Sequence, residues 1–221
     1  ILLYRIFLNR NIFFHATTQD ESKEINQVLG IKNDHIYIVQ NIDPNPINFK
    51  DLLNIEKRIG ETRLFFAGRI AKDKNIHLIN EIFFSMEDSK NIIVDLWGPI
   101  RDRQYLKFLL ENSKKSKIKL NYKGTFSQEE KYGIYQSYHA FLFPALAENY
   151  GHVIADSLSL SLPVITSNNT PWKSTKQFSE CGLISIDNNN LEEYRKAIKY
   201  IHLLNKNQFD NLRKKTNKTY K

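Results

Sequence analysis

The sequence predicts an α/β fold, a mostly parallel Rossmann-like sheet with helices on both faces. Short apolar runs alternate with helical stretches along nearly the whole chain. Several of the runs, such as Ala140-Phe141-Leu142-Phe143, are apolar at consecutive positions. That pattern marks strands covered on both faces, because a half-exposed strand alternates. The alternation at this spacing lets one helix cross over between successive strands, which gives a parallel sheet.

In chain order, the first strand is expected over residues 12–15 and the first helix over 21–29, with Gly30 as its stop. A second strand follows over 36–40. Residues 41–50, which include Pro44 and Pro46, read as a linker before the main body, 52–204. There the expected strands are 62–67, 92–97, 119–122, 140–143, 163–167 and 183–186. The expected helices are 74–85, 103–112, 128–137, 152–159 and 191–204. Asp73 is the expected N-cap of the second helix. Ser127 with Glu130 three residues on forms a capping box, which starts the helix at Gln128.

The chain has 221 residues, 41% hydrophobic and 25% charged, and a formal net charge of +8. These proportions are those of a globular protein with a sizeable core. Cys181 is the single cysteine, so no internal disulfide forms, and a reducing, cytoplasmic setting fits. The positive charge suits a phosphate-bearing substrate or an anionic membrane surface. No array of aromatic and basic residues resembles an RNA-recognition strand, so nucleic acid is not expected. No apolar stretch reaches the ~20 residues that span a bilayer. The opening Ile1-Leu2-Leu3-Tyr4-Arg5-Ile6-Phe7-Leu8 is short and carries an arginine, which makes a poor signal peptide. With no initiator methionine, the chain reads as beginning inside a larger protein.

Four loops follow strand ends, and ligands of open α/β sheets bind beyond the carboxyl ends of the strands. The first is Gly68-Arg69-Ile70-Ala71-Lys72-Asp73-Lys74. Its glycine leaves room for a ligand, and Arg69 and Lys74 bring two charges suited to a diphosphate, above all a departing one. It lacks the Gly-Lys-Ser/Thr ending of a P-loop. The second, Trp97-Gly98-Pro99, reads as a turn that places Gly98 beside the ligand path. In the third, Lys123-Gly124-Thr125-Phe126, the aromatic either holds a planar base or anchors the core. The fourth runs from Pro144 to Asp156 and contains Glu148-Asn149-Tyr150-Gly151-His152. Its carboxylates accept hydrogen bonds from hydroxyls, and the helix starting near Gly151 points free N–H groups at an anion. The six histidines show no metal-ligand spacing, and no serine-histidine-acid order is apparent.

Together these motifs resemble the retaining GT-B glycosyltransferases of glycosyl transferase group 1, also called family 4. Gly68-Arg69…Lys74 resembles that family's diphosphate-binding loop, Glu148 to Asp156 its Glu-x7-Glu motif, and Gly124-Thr125-Phe126 its glycine loop near the base. Ser167-Asn168-Asn169-Thr170-Pro171-Trp172 resembles a Ser-Asp-x-Thr-Pro-Trp segment of one branch. The resemblance implies that Arg69 and Lys74 neutralise the diphosphate of a nucleotide-sugar donor and that Glu148 holds the sugar. It also implies that Gly151 and His152 offer backbone N–H groups to phosphate and that Asp156 takes the ribose. The donor is a substrate, so no cofactor and no metal are implied. Three domains follow from the same resemblance. Residues 1–45 end an acceptor-side domain that would receive a glycan or lipid-linked acceptor, with His15 and Thr17 in its last loops. Residues 46–206 form the donor-binding domain, and 207–221 a basic helix crossing back to the first. Asp156 replaces glutamate, and Ser161 and Asn75 stand where glycine is usual; altered donor choice or weakened activity is expected from these departures. The same architecture also hosts nucleotide-sugar epimerases and would suit a non-catalytic sugar-nucleotide-binding domain.

Overall fold

The computed structural model describes residues 12–30, 33–39, 44, 47–52, 54–84, 86, 90–116 and 118–220. The opening apolar run, Gln40, half of the predicted linker with Pro46, and Ser85 lie outside the described residues. The chain forms two compact units, Ile1–Asp43 and Pro44–Lys221.

The first unit contains β1 (Phe14–Ala16), α1 (Gln19–Leu29) and β2 (Ile36–Ile38), with β1 and β2 paired in parallel. Helix α1 begins two residues before the predicted start. Its cap is Thr18, whose hydroxyl accepts the Glu21 amide at 3.1 Å. Gly30 ends it as predicted: the residue is left-handed (φ 66°) and its N–H reaches Asn26 O at 2.8 Å. Within this unit the Thr17 amide and hydroxyl both donate to Glu21 Oε2 at 2.6 Å. His15 Nε2 lies 3.0 Å from Val39 O.

The second unit runs β3 (Thr62–Ala67), α2 (His77–Phe84), β4 (Ile92–Trp97), α3 (Arg103–Ser113), β5 (Lys119–Gly124), α4 (Gln128–Tyr135) and β6 (Ala140–Phe143). It continues with α5 (His152–Ser159), β7 (Val164–Ser167), α6 (Phe178–Cys181), β8 (Leu183–Ile186), α7 (Leu191–Leu203) and α8 (Lys206–Tyr220). All six strands of its sheet are parallel, in the order β5-β4-β3-β6-β7-β8. The six predicted strands of the main body are therefore all present. The central strands are buried from Leu64 to Ala67 and throughout β6, Phe65, Phe66, Phe141 and Leu142 completely, because helices cover both faces.

Two helix ends of the second unit move by more than one residue. Helix α2 starts at His77 and not at Lys74, because Lys72–Lys74 form a 3-10 turn closed by left-handed Asn75 (φ 53°). Asp73 therefore sits inside that turn and caps nothing. Helix α4 stops at Tyr135, and beyond it Ser137 turns its hydroxyl back to Ile134 O at 2.7 Å. Helix α6 was not predicted; its four residues are too few to show a helical period.

Helix α8 packs on α5 and α6. The approach is close at Gly182, where a Cβ would stand 1.8 Å from Thr216 Oγ1. Much of its basic character is engaged inside this unit. Lys206 pairs with Asp210, Arg213 donates to Gln136 Oε1 at 2.6 Å, and Lys215 to Ser179 O at 3.0 Å. At its end the Tyr220 hydroxyl reaches Pro44 O at 2.7 Å.

Candidate functional site

The sheet order reverses between β3 and β6. The chain leaves β3 towards β4 on one side and leaves β6 towards β7 on the other, which opens a crevice at the carboxyl ends of this central pair. The loops that diverge there are the two with the strongest sequence signals, Gly68–Lys74 and Pro144–Gly151.

The structure joins these loops. Lys74 Nζ donates to Glu148 Oε2 at 2.9 Å, and the Leu146 amide to Asp73 O at 3.1 Å. The Lys74 and Glu148 side chains keep 11% and 22% of their exposure, so this ion pair is partly shielded from water. Lys74 also lies 5.8 Å from the centre of the Phe143 ring. Arg69 is far more open: its side chain keeps 52% exposure and pairs with Asp73 at 3.0 Å. Asp73 also lies 3.8 Å from Lys74. An acid that the sequence suggested only as a helix cap thus sits between the two cations.

Three glycines close β3, β4 and β5 side by side. The Gly68 amide donates to Trp97 O at 2.9 Å and the Gly98 amide to Gly124 O at 2.7 Å. A Cβ on Gly98 would stand 2.0 Å from Gly68 O. This backbone approach alone requires glycine at 98, without any ligand. Thr125 is exposed. Phe126 is partly buried, edge-on to Trp97 at 5.6 Å and to Tyr135 at 6.1 Å. Of its two sequence readings, this geometry displays the core anchor.

Several bonds fix the loop that carries Glu148. The Ser167 hydroxyl donates to Ala145 O at 2.6 Å and Asn188 Nδ2 to the same oxygen at 3.2 Å. The Glu148 amide donates to Asn169 O at 3.2 Å. Trp172 Nε1 donates to Tyr150 O at 2.5 Å. The Tyr150 ring lies 4.8 Å from His152 and 5.9 Å from Trp172, while Asn149 and His152 are exposed. Gly151 begins α5 in a left-handed conformation (φ 84°) with no side-chain cap, so the first amides of the helix are offered to solvent or ligand. Asp156 lies one turn into α5 and accepts Lys131 Nζ at 2.9 Å. Sequence reasoning missed Lys131, which sits in α4 without any distinguishing motif.

Among the described residues, no cluster of three or more His, Cys, Asp or Glu side chains is placed to hold a metal ion. No helix among them is long and apolar enough to cross a membrane. A separate depression of about 400 Å³ lies at the amino-terminal ends of β3 and β4, lined by Arg58, Arg63, Asn91 and His139 among others. Both nitrogens of His139 are occupied there, one by the Arg63 amide at 3.0 Å and one by Glu56 O at 2.8 Å.

The family model for glycosyl transferases group 1 matches residues 50–219. No curated protein sequence matches the chain. Among solved structures, a mutant of S. aureus TarM in complex with fondaparinux, alpha-GlcNAc-glycerol and UDP superposes with a TM-score of 0.71 at 12% identity. That match covers 94% of this chain and 40% of TarM. A glycosyltransferase from Rickettsia africae gives a TM-score of 0.71 at 14% identity, over 99% of this chain and 61% of that one. The catalytic domain of cholesterol-alpha-glucosyltransferase from Helicobacter pylori gives 0.57 at 20% identity, over 72% of this chain and 96% of that domain. The chain thus spans about 40% of the length of TarM. The shared architecture is the GT-B fold.

Proposed function

Because the chain belongs to the glycosyl transferases group 1 family, we propose that it is the donor-binding half of an enzyme moving a sugar from a nucleotide-diphosphate sugar to a glycan or lipid-linked acceptor, with retention of configuration. The observation that carries this reading is the Lys74–Glu148 contact at the strand-order reversal. It places a fixed cation and a hydroxyl-binding carboxylate in one crevice, which is what a sugar attached to a diphosphate requires.

In this reading Lys74 and Arg69 take charge from the diphosphate as it becomes the leaving group. Glu148 accepts hydrogen bonds from the donor sugar, the amides of Gly151 and His152 meet phosphate, and Asp156 with Lys131 borders the ribose. UDP is the first nucleotide to try, since it is present in the TarM complex. Acceptor choice belongs to the rest of the enzyme, and a cytoplasmic setting suits a chain with one cysteine.

Calorimetry with UDP tests the cations. Losing a charge-assisted hydrogen bond costs roughly 1.5–3 kcal/mol, so Lys74→Ala should weaken binding about 10-fold or more. Arg69→Ala should weaken it less, because that side chain is more exposed. Equal affinity in both variants and the wild type would remove the diphosphate role. In the complete enzyme, Glu148→Ala should abolish sugar transfer while nucleotide binding persists, and NMR of the product should show the donor's anomeric configuration.

A further inference from the structure

We propose that α3 and the end of α2 form a docking face for an anionic lipid bilayer. Two phenylalanines stand bare there. Phe84, the last residue of α2, is 68% exposed, and Phe108 of α3 is 50% exposed. Both line one shallow groove together with His77, Glu81, Asn112 and Lys115. On α3 and just beyond its end, the solvent-facing positions beside Phe108 carry Arg103, Gln104, Lys107, Glu111, Lys114 and Lys115, a net positive set.

Charge complementarity selects the partner. From Ile100 to Gly124 the sequence holds eight Lys or Arg against two Asp or Glu. The other basic stretch, α8, has its Lys206, Arg213 and Lys215 engaged within its own unit. The α3 lysines are open, Lys107 at 76% side-chain exposure even with Glu111 3.8 Å away. Lys119 lies on the edge strand β5, where lysines also discourage edge-to-edge pairing. Edge protection does not explain two exposed phenylalanines on neighbouring helices. Aromatic rings at headgroup depth with Lys115 in their groove and Lys107 and Lys114 on the adjoining stripe of α3 match an anionic bilayer surface, because the rings bury apolar area and the lysines hold their charge among the phosphates. Both helices run back from the carboxyl-end crevice, so Lys114, Lys115 and Phe84 lie towards the opposite end of the sheet. Docking there leaves the Lys74–Glu148 crevice uncovered.

The test is co-sedimentation of the chain with vesicles of phosphatidylcholine, with and without phosphatidylglycerol. The expected result is binding to the anionic vesicles alone, weakening as salt screens it. Each lysine near such a surface contributes about 1 kcal/mol, so the triple change Lys107→Gln, Lys114→Gln and Lys115→Gln should lower partitioning roughly 100-fold. The pair Phe84→Ser and Phe108→Ser should weaken it without altering net charge. An equal-charge control, Lys176→Gln, Lys196→Gln and Lys218→Gln, alters exposed lysines elsewhere and should keep most of the binding. The proposal is overturned by an absence of anionic-vesicle binding or by equal loss in the control triple. It is also overturned if light scattering finds a dimer that the Phe84→Ser, Phe108→Ser pair dissociates, since a second copy would then own this face.

Discussion

Replacing Ser161 with glycine should make this protein more stable. Ser161 lies just beyond the C-terminus of α5, fully buried, with a left-handed backbone (φ 58°). Its amide bonds to Leu158 O at 2.9 Å, which holds it in that conformation, and its hydroxyl has no hydrogen-bond partner. A non-glycine residue in the left-handed region costs roughly 1–2 kcal/mol. A buried, unsatisfied hydroxyl costs roughly 1–3 kcal/mol. Glycine removes both and returns about 0.5–1 kcal/mol through the greater freedom of the unfolded chain. The net gain is about 2 kcal/mol, or a rise of about 4–8 °C in melting temperature at this size. Ser161→Ala separates the two contributions, since it removes the hydroxyl and keeps the strain; its melting point should fall between the other two. Thermal denaturation followed by circular dichroism measures all three. A glycine variant melting at or below the wild type would refute the reasoning. Altered UDP affinity would refute a narrower point. Ser161 follows the helix that Gly151 begins, and the eight residues of that helix place it about 12 Å away. At that distance the expected effect is on the backbone, with UDP affinity unchanged.

Two more outcomes follow from the same structure. Burial first, then nearby Arg63, Lys57 and Arg213, holds the His139 ring's pKa down to about 4 against an ordinary 6.5, despite the opposing bond to Glu56 O. The unfolded chain therefore binds the extra proton first, so stability is full above pH 6.5 and falls by about 3 kcal/mol as pH drops towards 4. Denaturant titrations across that range should show a shallower acid loss in His139→Gln, and an unchanged slope would count against this account. Asp73 lies 3.0 Å from Arg69 and 3.8 Å from Lys74. Asp73→Asn should therefore tighten UDP binding by a few fold, the size expected for an exposed pair, and weaker binding by calorimetry would contradict it.

The main body was legible because most of its strands are apolar runs bounded by turn residues, and the Ser127 box marks its helix start to the residue. The pairing of Lys74 with Glu148 was not legible. It spans 74 residues and depends on β3 lying beside β6, a choice of strand order that no local pattern encodes. Asp73 misled for a local reason. An acid before an apolar run is the usual mark of an N-cap, but Asn75 turns left-handed and delays the helix to His77. The departures from glycine at Asn75 and Ser161 were visible as departures, and both prove to be left-handed. Asparagine adopts that conformation readily and serine does not, so only the second carries a stability cost. Lys131 had no signal at all, since a lysine on a helix is ordinarily a solvated one.

The crevice is a balanced cluster more than an open anion hole. Arg69 and Lys74 bring two positive charges, and Asp73 and Glu148 bring two negative ones. A diphosphate entering such a cluster gains net attraction only by taking a cation from a carboxylate or by meeting the free amides at the start of α5. The two cations are not equivalent in this exchange. Lys74 is held at 11% exposure between Glu148 and the Phe143 ring, so its charge is kept inside the crevice. Arg69, half exposed and paired with an equally exposed acid, is placed in the proposed reading to swing from Asp73 to phosphate. In the proposed reading, a diphosphate that draws on Lys74 loosens the grip on Glu148 and frees its lone pairs for the sugar hydroxyls. In the proposed reading the Lys74–Glu148 pair positions the carboxylate, and recognition of diphosphate and of sugar is coupled through one lysine.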